Sequence, residues 1–160
     1  MSTSCCQVDE AIRRALRDGE ADYAARGVRV ELDLRCRTQL RTEEPVLDRA
    51  LYTIFRGLPA RLAPGATVRI STRDMAGGDV EIAWEAVESA EPPPAEAFTR
   101  GHAYGDLLEL AIAGMETICR ARSGRMEVED ATLRLAPDVR RRYVFLVPSL
   151  DRSPSWSPIS

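Results

Sequence analysis

The chain has 160 residues, 44% of them hydrophobic and 29% charged, which is enough for one soluble globular domain with a buried core. All 22 basic residues are arginine, and the net charge of −3 supplies no global positive field for nucleic acid or an anionic membrane surface. No apolar run approaches the roughly 20 residues that span a bilayer, and the N-terminus lacks the apolar core of a signal peptide, so a cytoplasmic location and no membrane contact are expected.

Residues 1–6 read as a disordered lead. Val8 to Ala25 reads as one amphipathic helix, with Val8, Ile12, Leu16 and Tyr23 on its apolar side and Gly27 as its C-terminal stop. Val28, Val30, Leu32 and Leu34 then alternate with charged residues, the period-2 pattern of a half-buried strand. A second helix starts near Pro45, carries Leu47, Leu51, Ile54, Phe55 and Leu58 on one side, and stops at Leu58 because Pro59 cannot continue it. Two strands, Val68–Arg73 and Val80–Val87, flank a hairpin-like turn from Asp74 to Asp79. Residues 88–105, with three consecutive prolines, read as a loop. Asp106 to Arg122 returns to helix with Leu107, Leu110, Ala111, Met115 and Ile118 on one face. Strands from Met126 and from Tyr143 to Val147 follow, and the Ser/Pro-rich residues 151–160 read as a disordered tail.

Adjacent Cys5 and Cys6, with distant Cys36 and Cys119, form no zinc pattern, and the latter two are expected to be buried inert thiols. Arg140–Arg142 reads as a solvated turn entering the last strand. His102, the sole histidine, reads as an ordinary loop residue. Trp84 reads as core, whereas Trp156 in the polar tail is a candidate docking anchor.

The segment EEPVLDRALYTIFRGLPARL, followed by APGATVRI, resembles the N box of the histidine-kinase-like ATPases, the Bergerat fold. Glu43, Leu47 and Leu51 fall on that frame, and the preceding helix, the strand from Val28, and the terminal Phe145-Leu146-Val147-Pro148 fit the same order. The resemblance implies an α/β two-layer sandwich over residues 7–150, a mixed sheet packed on three helices. It also implies an ATP site whose defining residues are altered here. Thr53 and Gly57 stand where the family has asparagines, the second of which holds magnesium, and the chain contains no asparagine at all. Ala86 stands at the adenine-binding aspartate, with Glu88 at a following glycine, and Glu85 or Glu88 could take over the adenine contact by a register shift. Glu109 and Ala111 stand at the second glycine box, for which Gly105 offers a rearranged alternative.

The hydrophobic frame, needed for folding, is retained, while three nucleotide boxes are altered. The resemblance therefore implies a nucleotide-degenerate domain of two-component-type signalling, with no cofactor and no catalytic or metal-ligating residue, acting by contact with a response regulator or kinase. Glu43, Thr53, Gly57, Glu85, Glu88, Gly105 and Glu109 would mark the vestigial site. Phe98, Tyr104 and Leu108, with Trp156, would be the docking residues. The alternatives are a divergent ATP/Mg-binding kinase domain, in which Glu43, Asp48 or Glu109 replaces the magnesium ligand, and a relative of the anti-sigma serine kinases.

Overall fold

A computed structural model describes residues 4–42, 46–88, 102–122, 124–132 and 139–148. The elements run β1 (Ser4–Gln7), α1 (Val8–Asp18), α2 (Glu20–Ala25), β2 (Arg29–Arg35), β3 (Gln39–Thr42), α3 (Val46–Gly57), β4 (Thr67–Asp74), β5 (Val80–Glu88), α4 (His102–Ala121), β6 (Arg125–Thr132) and β7 (Val139–Val147). Five strands form one mixed sheet in the order β2-β4-β5-β7-β6, in which only the β2–β4 pair is parallel. The long connection carrying α3 lies between those two parallel strands, as a crossover requires. A separate ribbon pairs β1 with β3.

Alternation sorts the sheet into two faces. Val80, Ile82, Trp84 and Ala86 of β5, with Tyr143, Phe145 and Val147 of β7, turn toward the helices and are buried. Trp84 anchors this layer, stacked on Tyr143 and Phe145 at 4.8 and 5.4 Å and met edge-on by Phe55 of α3 at 5.3 Å. The opposite face carries cross-strand ion pairs: Arg69–Glu31, Arg73–Glu81 and Arg140–Glu85, at 3.0, 2.8 and 3.0 Å.

Helix α1 is fastened to the sheet through a buried carboxylate. Asp9 accepts a hydrogen bond from the Thr72 hydroxyl at 2.6 Å and another from the Cys36 amide at 3.1 Å, while Thr72 in turn accepts from the Arg35 amide at 3.0 Å. Nearby, Asp74 accepts from the amides of Arg37 and Thr38. The Thr38 side chain, followed by the Arg37 amide, holds the Asp74 carboxyl below the usual range.

The core stripe expected of the second helix is entirely buried, and α3 gives way after Gly57 to a 3-10 turn over Leu58–Ala60, where Pro59 lies. Gly27, with φ 68°, follows α2 in the left-handed conformation expected of its stop.

Other expectations need correction. The first helix is two, α1 and α2, because the chain bends at Gly19, where an added Cβ would lie 3.0 Å from Arg56 Nη1. Residues 4–6, read as part of a disordered lead, belong to β1, and β3 escaped the pattern because a four-residue strand shows almost no periodicity. His102 to Gly105, read as loop, begins α4, and Glu88 belongs to β5. Arg140–Arg142 is no turn but part of β7. Residues 89–101 and 149–160 lie outside the described residues.

The largest correction concerns α4. Met115 is buried as expected, but among the described side chains it is joined by Leu108, Ile112 and Cys119, whereas Leu107 and Leu110 are 46% and 70% exposed and Ala111 and Ile118 only partly buried. The helix is turned by about one residue, or ~100°, from the face expected.

Candidate functional site

The ends of α3 and β5, the middle of β7 and the N-terminal half of α4 converge on one arginine. Pro59 ends the α-helical pattern, and the 3-10 turn that follows closes with the Arg61 amide donating to the Leu58 carbonyl at 2.8 Å. The chain then crosses to the end of β5, where Leu62 bridges Glu88 and the Ala63 amide donates to the Val87 carbonyl at 2.9 Å. These main-chain bonds aim the Arg61 side chain across the end of the sheet.

Among the described residues its guanidinium has three partners on three elements. Nη2 donates to the Glu109 carboxylate of α4. Nη1 donates to the Tyr143 hydroxyl of β7 at 3.4 Å, and Nε lies 3.9 Å from Oε1 of Glu88 on β5. The same Glu88 oxygen accepts from Arg141 Nη1 at 2.9 Å. The Glu88 side chain is only 7% exposed, so it is held in the low-dielectric interior by two guanidinium groups. Two arginines and two glutamates leave these four side chains formally neutral. Burial, followed by the Glu88 carboxylate, raises the Tyr143 hydroxyl above its ordinary value, against the opposing pull of Arg141 and Arg61. The phenol therefore stays protonated across the physiological range.

The residues singled out from sequence divide around this cluster. Glu88 and Glu109 are brought together through Arg61. Gly57 is buried at the end of α3, one turn beyond Thr53. Thr53 is half-buried and lines a different feature, a shallow polar groove with Arg14, Asp18, Asp48 and Tyr52 between α1 and α3. There Arg14 pairs with Asp48 at 2.7 Å, and the Tyr52 hydroxyl donates to Asp18 at 2.7 Å.

Glu85 is excluded from the site by strand parity. It stands an odd number of positions from Val80, Ile82, Trp84 and Ala86, so it lies on the opposite face, paired with Arg140. Ala86, set at the adenine position by the resemblance alone, is buried on the helix face. Gly105 and Tyr104 fall in the first turns of α4. Leu108, expected to meet a partner, is 1% exposed and belongs to the core, because the buried face of α4 is the one it occupies. Glu43, Phe98 and Trp156 lie outside the described residues.

Arg61, Arg141 and Tyr143 were missed by sequence reasoning. For Arg141 a signal existed: it shares the parity of Tyr143, Phe145 and Val147, so an arginine was placed on the buried side of a strand. Such a group requires a carboxylate, and Glu88 has the matching parity on β5. Among the described residues, no group of three or more His, Cys, Asp and Glu side chains is disposed to hold a metal ion. No helix of the described chain is long and apolar enough to cross a membrane.

Comparison with solved structures places the fold among the catalytic domains of sensor histidine kinases. A nucleotide-free catalytic domain of histidine kinase ThkA superposes with a TM-score of 0.60 at 14% identity, covering 93% of this chain and 97% of that one. Acinetobacter baumannii histidine kinase AdeS matches with a TM-score of 0.58 at 10% identity, over 94% of this chain and 69% of that one. The mycobacterial sensor histidine kinase MprB matches with a TM-score of 0.53 at 17% identity, over 92% and 100%. A further match, at TM-score 0.58 and 14% identity, is ThkA in complex with the response regulator TrrA, in which 96% of this chain covers 42% of that one. No protein-family model and no curated protein matches the sequence. At these identities the likeness establishes the fold.

Proposed function

We propose that this domain, built on the histidine-kinase catalytic fold over residues 7–150, serves two-component-type signalling in the cytoplasm by protein contact and without a nucleotide cofactor. The observation that carries this reading is the occupied state of the cluster's charges. A magnesium–triphosphate ligand asks for a metal-ligating side chain at the end of α3 and for cations available to phosphate oxygens. Gly57 stands at the first position and has no side chain. Arg61, four residues further on, and Arg141 already hold Glu88 and Glu109 of the same chain. Entry of a phosphate group would have to displace those carboxylates, and a carboxylate left beside phosphate is repulsive. The residues present do not fit the group.

The partner in this reading is a response regulator or a kinase. The ThkA structure with a response regulator supports that class. The surface offered is α4, where Leu107 and Leu110 are exposed and Tyr104 occupies the same helix. They replace Leu108 as the docking residues, with Phe98 and Trp156 as further candidates.

Calorimetric titration with Mg-ATP tests the reading. Each lost charge-assisted contact costs ~1.5–3 kcal/mol, so no binding is expected below about 1 mM. A dissociation constant under about 100 μM, near −5.5 kcal/mol, would overturn it and establish a divergent ATP-binding domain, of either the histidine-kinase or the anti-sigma kinase type.

A further inference from the structure

We propose that the Arg61 cluster is a rotational latch for α4, selecting which of two apolar stripes that helix buries. The two stripes are offset by a single residue. Leu108, Ile112, Met115 and Cys119 are buried against the core. Leu107, Ala111, Gly114 and Ile118 repeat the same spacing one position earlier, and Leu110 extends them. Of this second set, Leu107 and Leu110 are exposed, while Ala111 and Ile118 only edge the core.

Hydrophobic burial is non-directional and scales with area. A turn of about 100° around the helix axis exchanges one stripe for the other and keeps apolar residues at the interface. Apolar packing on α3 alone therefore defines the rotation of α4 weakly. Directional contacts must supply the difference, and a polar pair that fixes register is the best-attested role of such groups.

The contact is present and one-sided. Glu109 follows Leu108 directly, and its carboxylate is held by Arg61, whose main chain is bonded to Leu58 and whose neighbour Leu62 bridges β5. Arg61 is held in turn by Glu88 and Tyr143, and Glu88 by Arg141. A planar guanidinium with several donors suits a joint with several fixed partners. Turning α4 by one residue would carry Glu109 away from Arg61. The latch thus keeps Leu107 and Leu110 outward. It stands apart from the nucleotide question: tight ATP binding would defeat the cofactor-free reading and leave the rotational test intact.

Cys119 provides a native probe, because it lies in the buried stripe at full burial, and Cys36, buried at the end of β2, is a control remote from α4. Alkylation of the full chain at pH 8 is followed by peptide mass spectrometry for wild type, Glu109→Gln and Arg61→Met. Glu109 is 77% exposed, so its substitution leaves the fold intact even if Arg61→Met does not. The expected result is Cys119 labelling two- to fivefold faster in Glu109→Gln, the ratio that an exposed ion pair supports, with Cys36 unchanged. Equal acceleration at Cys36 and Cys119 would signify global loosening and overturn the latch. So would a Cys119 rate identical to wild type.

Discussion

Replacing Glu88 by glutamine removes one charge and little volume from the most enclosed part of the cluster. Its Oε1 receives a charge-assisted bond from Arg141 at 2.9 Å and has the Arg61 Nε at 3.9 Å. An amide oxygen still accepts from Arg141, so the change there is from a charge-assisted bond of ~1.5–3 kcal/mol to a neutral one of ~0.5–1.5 kcal/mol, a loss of about 1 kcal/mol. The more distant Arg61 retains Glu109, which limits its share to about 0.5 kcal/mol. The total of about 1.5 kcal/mol corresponds to a fall of roughly 3–6 °C in Tm for a chain of this size. Glu88→Ala should cost more, about 3 kcal/mol, because both guanidinium groups then lose this acceptor in a mostly buried setting. Thermal unfolding followed by circular dichroism ranks the three proteins. A glutamine variant as stable as wild type would refute the reasoning, since it would mean that the Glu88 charge contributes nothing to the closed cluster.

Asp9→Ala should destabilise the domain by about 3 kcal/mol, measured by denaturant titration, because it strands the buried Thr72 hydroxyl and the Cys36 amide; a loss below about 1 kcal/mol would contradict the role given to Asp9. Burial pushes the Cys36 and Cys119 thiols up to about 12 from 9.0. The unfolded chain therefore loses these protons first, so their contribution is fully present below pH 9 and declines as pH rises from 9 toward 12. Chemical unfolding across that range should show the loss reduced in a Cys36→Ala/Cys119→Ala variant, and an unchanged profile would count against it. Changing Leu107 and Leu110 to glutamine should weaken capture of the proposed partner, a response regulator or kinase, at least tenfold, as loss of ~2 kcal/mol from an anchor implies, and leave Tm within about 2 °C. Capture at wild-type strength would exclude the α4 face.

Much of the architecture was legible before any coordinates. The alternation in β2, the single apolar stripe of α3 and the stop at Pro59 each encode one element locally, and for α3 the buried side as well, whereas Leu32 on the apolar side of β2 is 46% exposed. Their order fits the layer of helices on a mixed sheet that the resemblance to the histidine-kinase-like ATPases implies. The residues that the resemblance sets at the nucleotide boxes, Gly57, Ala86 and Glu109, are legible because they are identities rather than arrangements. The short ribbon of β1 and β3 was not legible, since four residues define no period and the pairing partner lies more than thirty residues away.

Two decisions belonged to the tertiary structure alone. The first is the rotation of α4. Where a helix is apolar on one side, its sequence states which side is buried, but α4 has apolar residues at both 107 and 108, 111 and 112, 118 and 119. Only its neighbours choose between them, through the shape of α3 and the contact from Arg61 to Glu109. The second is the charge cluster itself. Glu88 and Glu109 drew notice as carboxylates where a nucleotide fold has glycines, yet their partners lie 27, 48 and 53 residues away along the chain. No local pattern links such positions. Sheet pairing brings Arg141 beside Glu88, the turn after α3 delivers Arg61, and the burial of Glu88 makes its pairing with them obligatory.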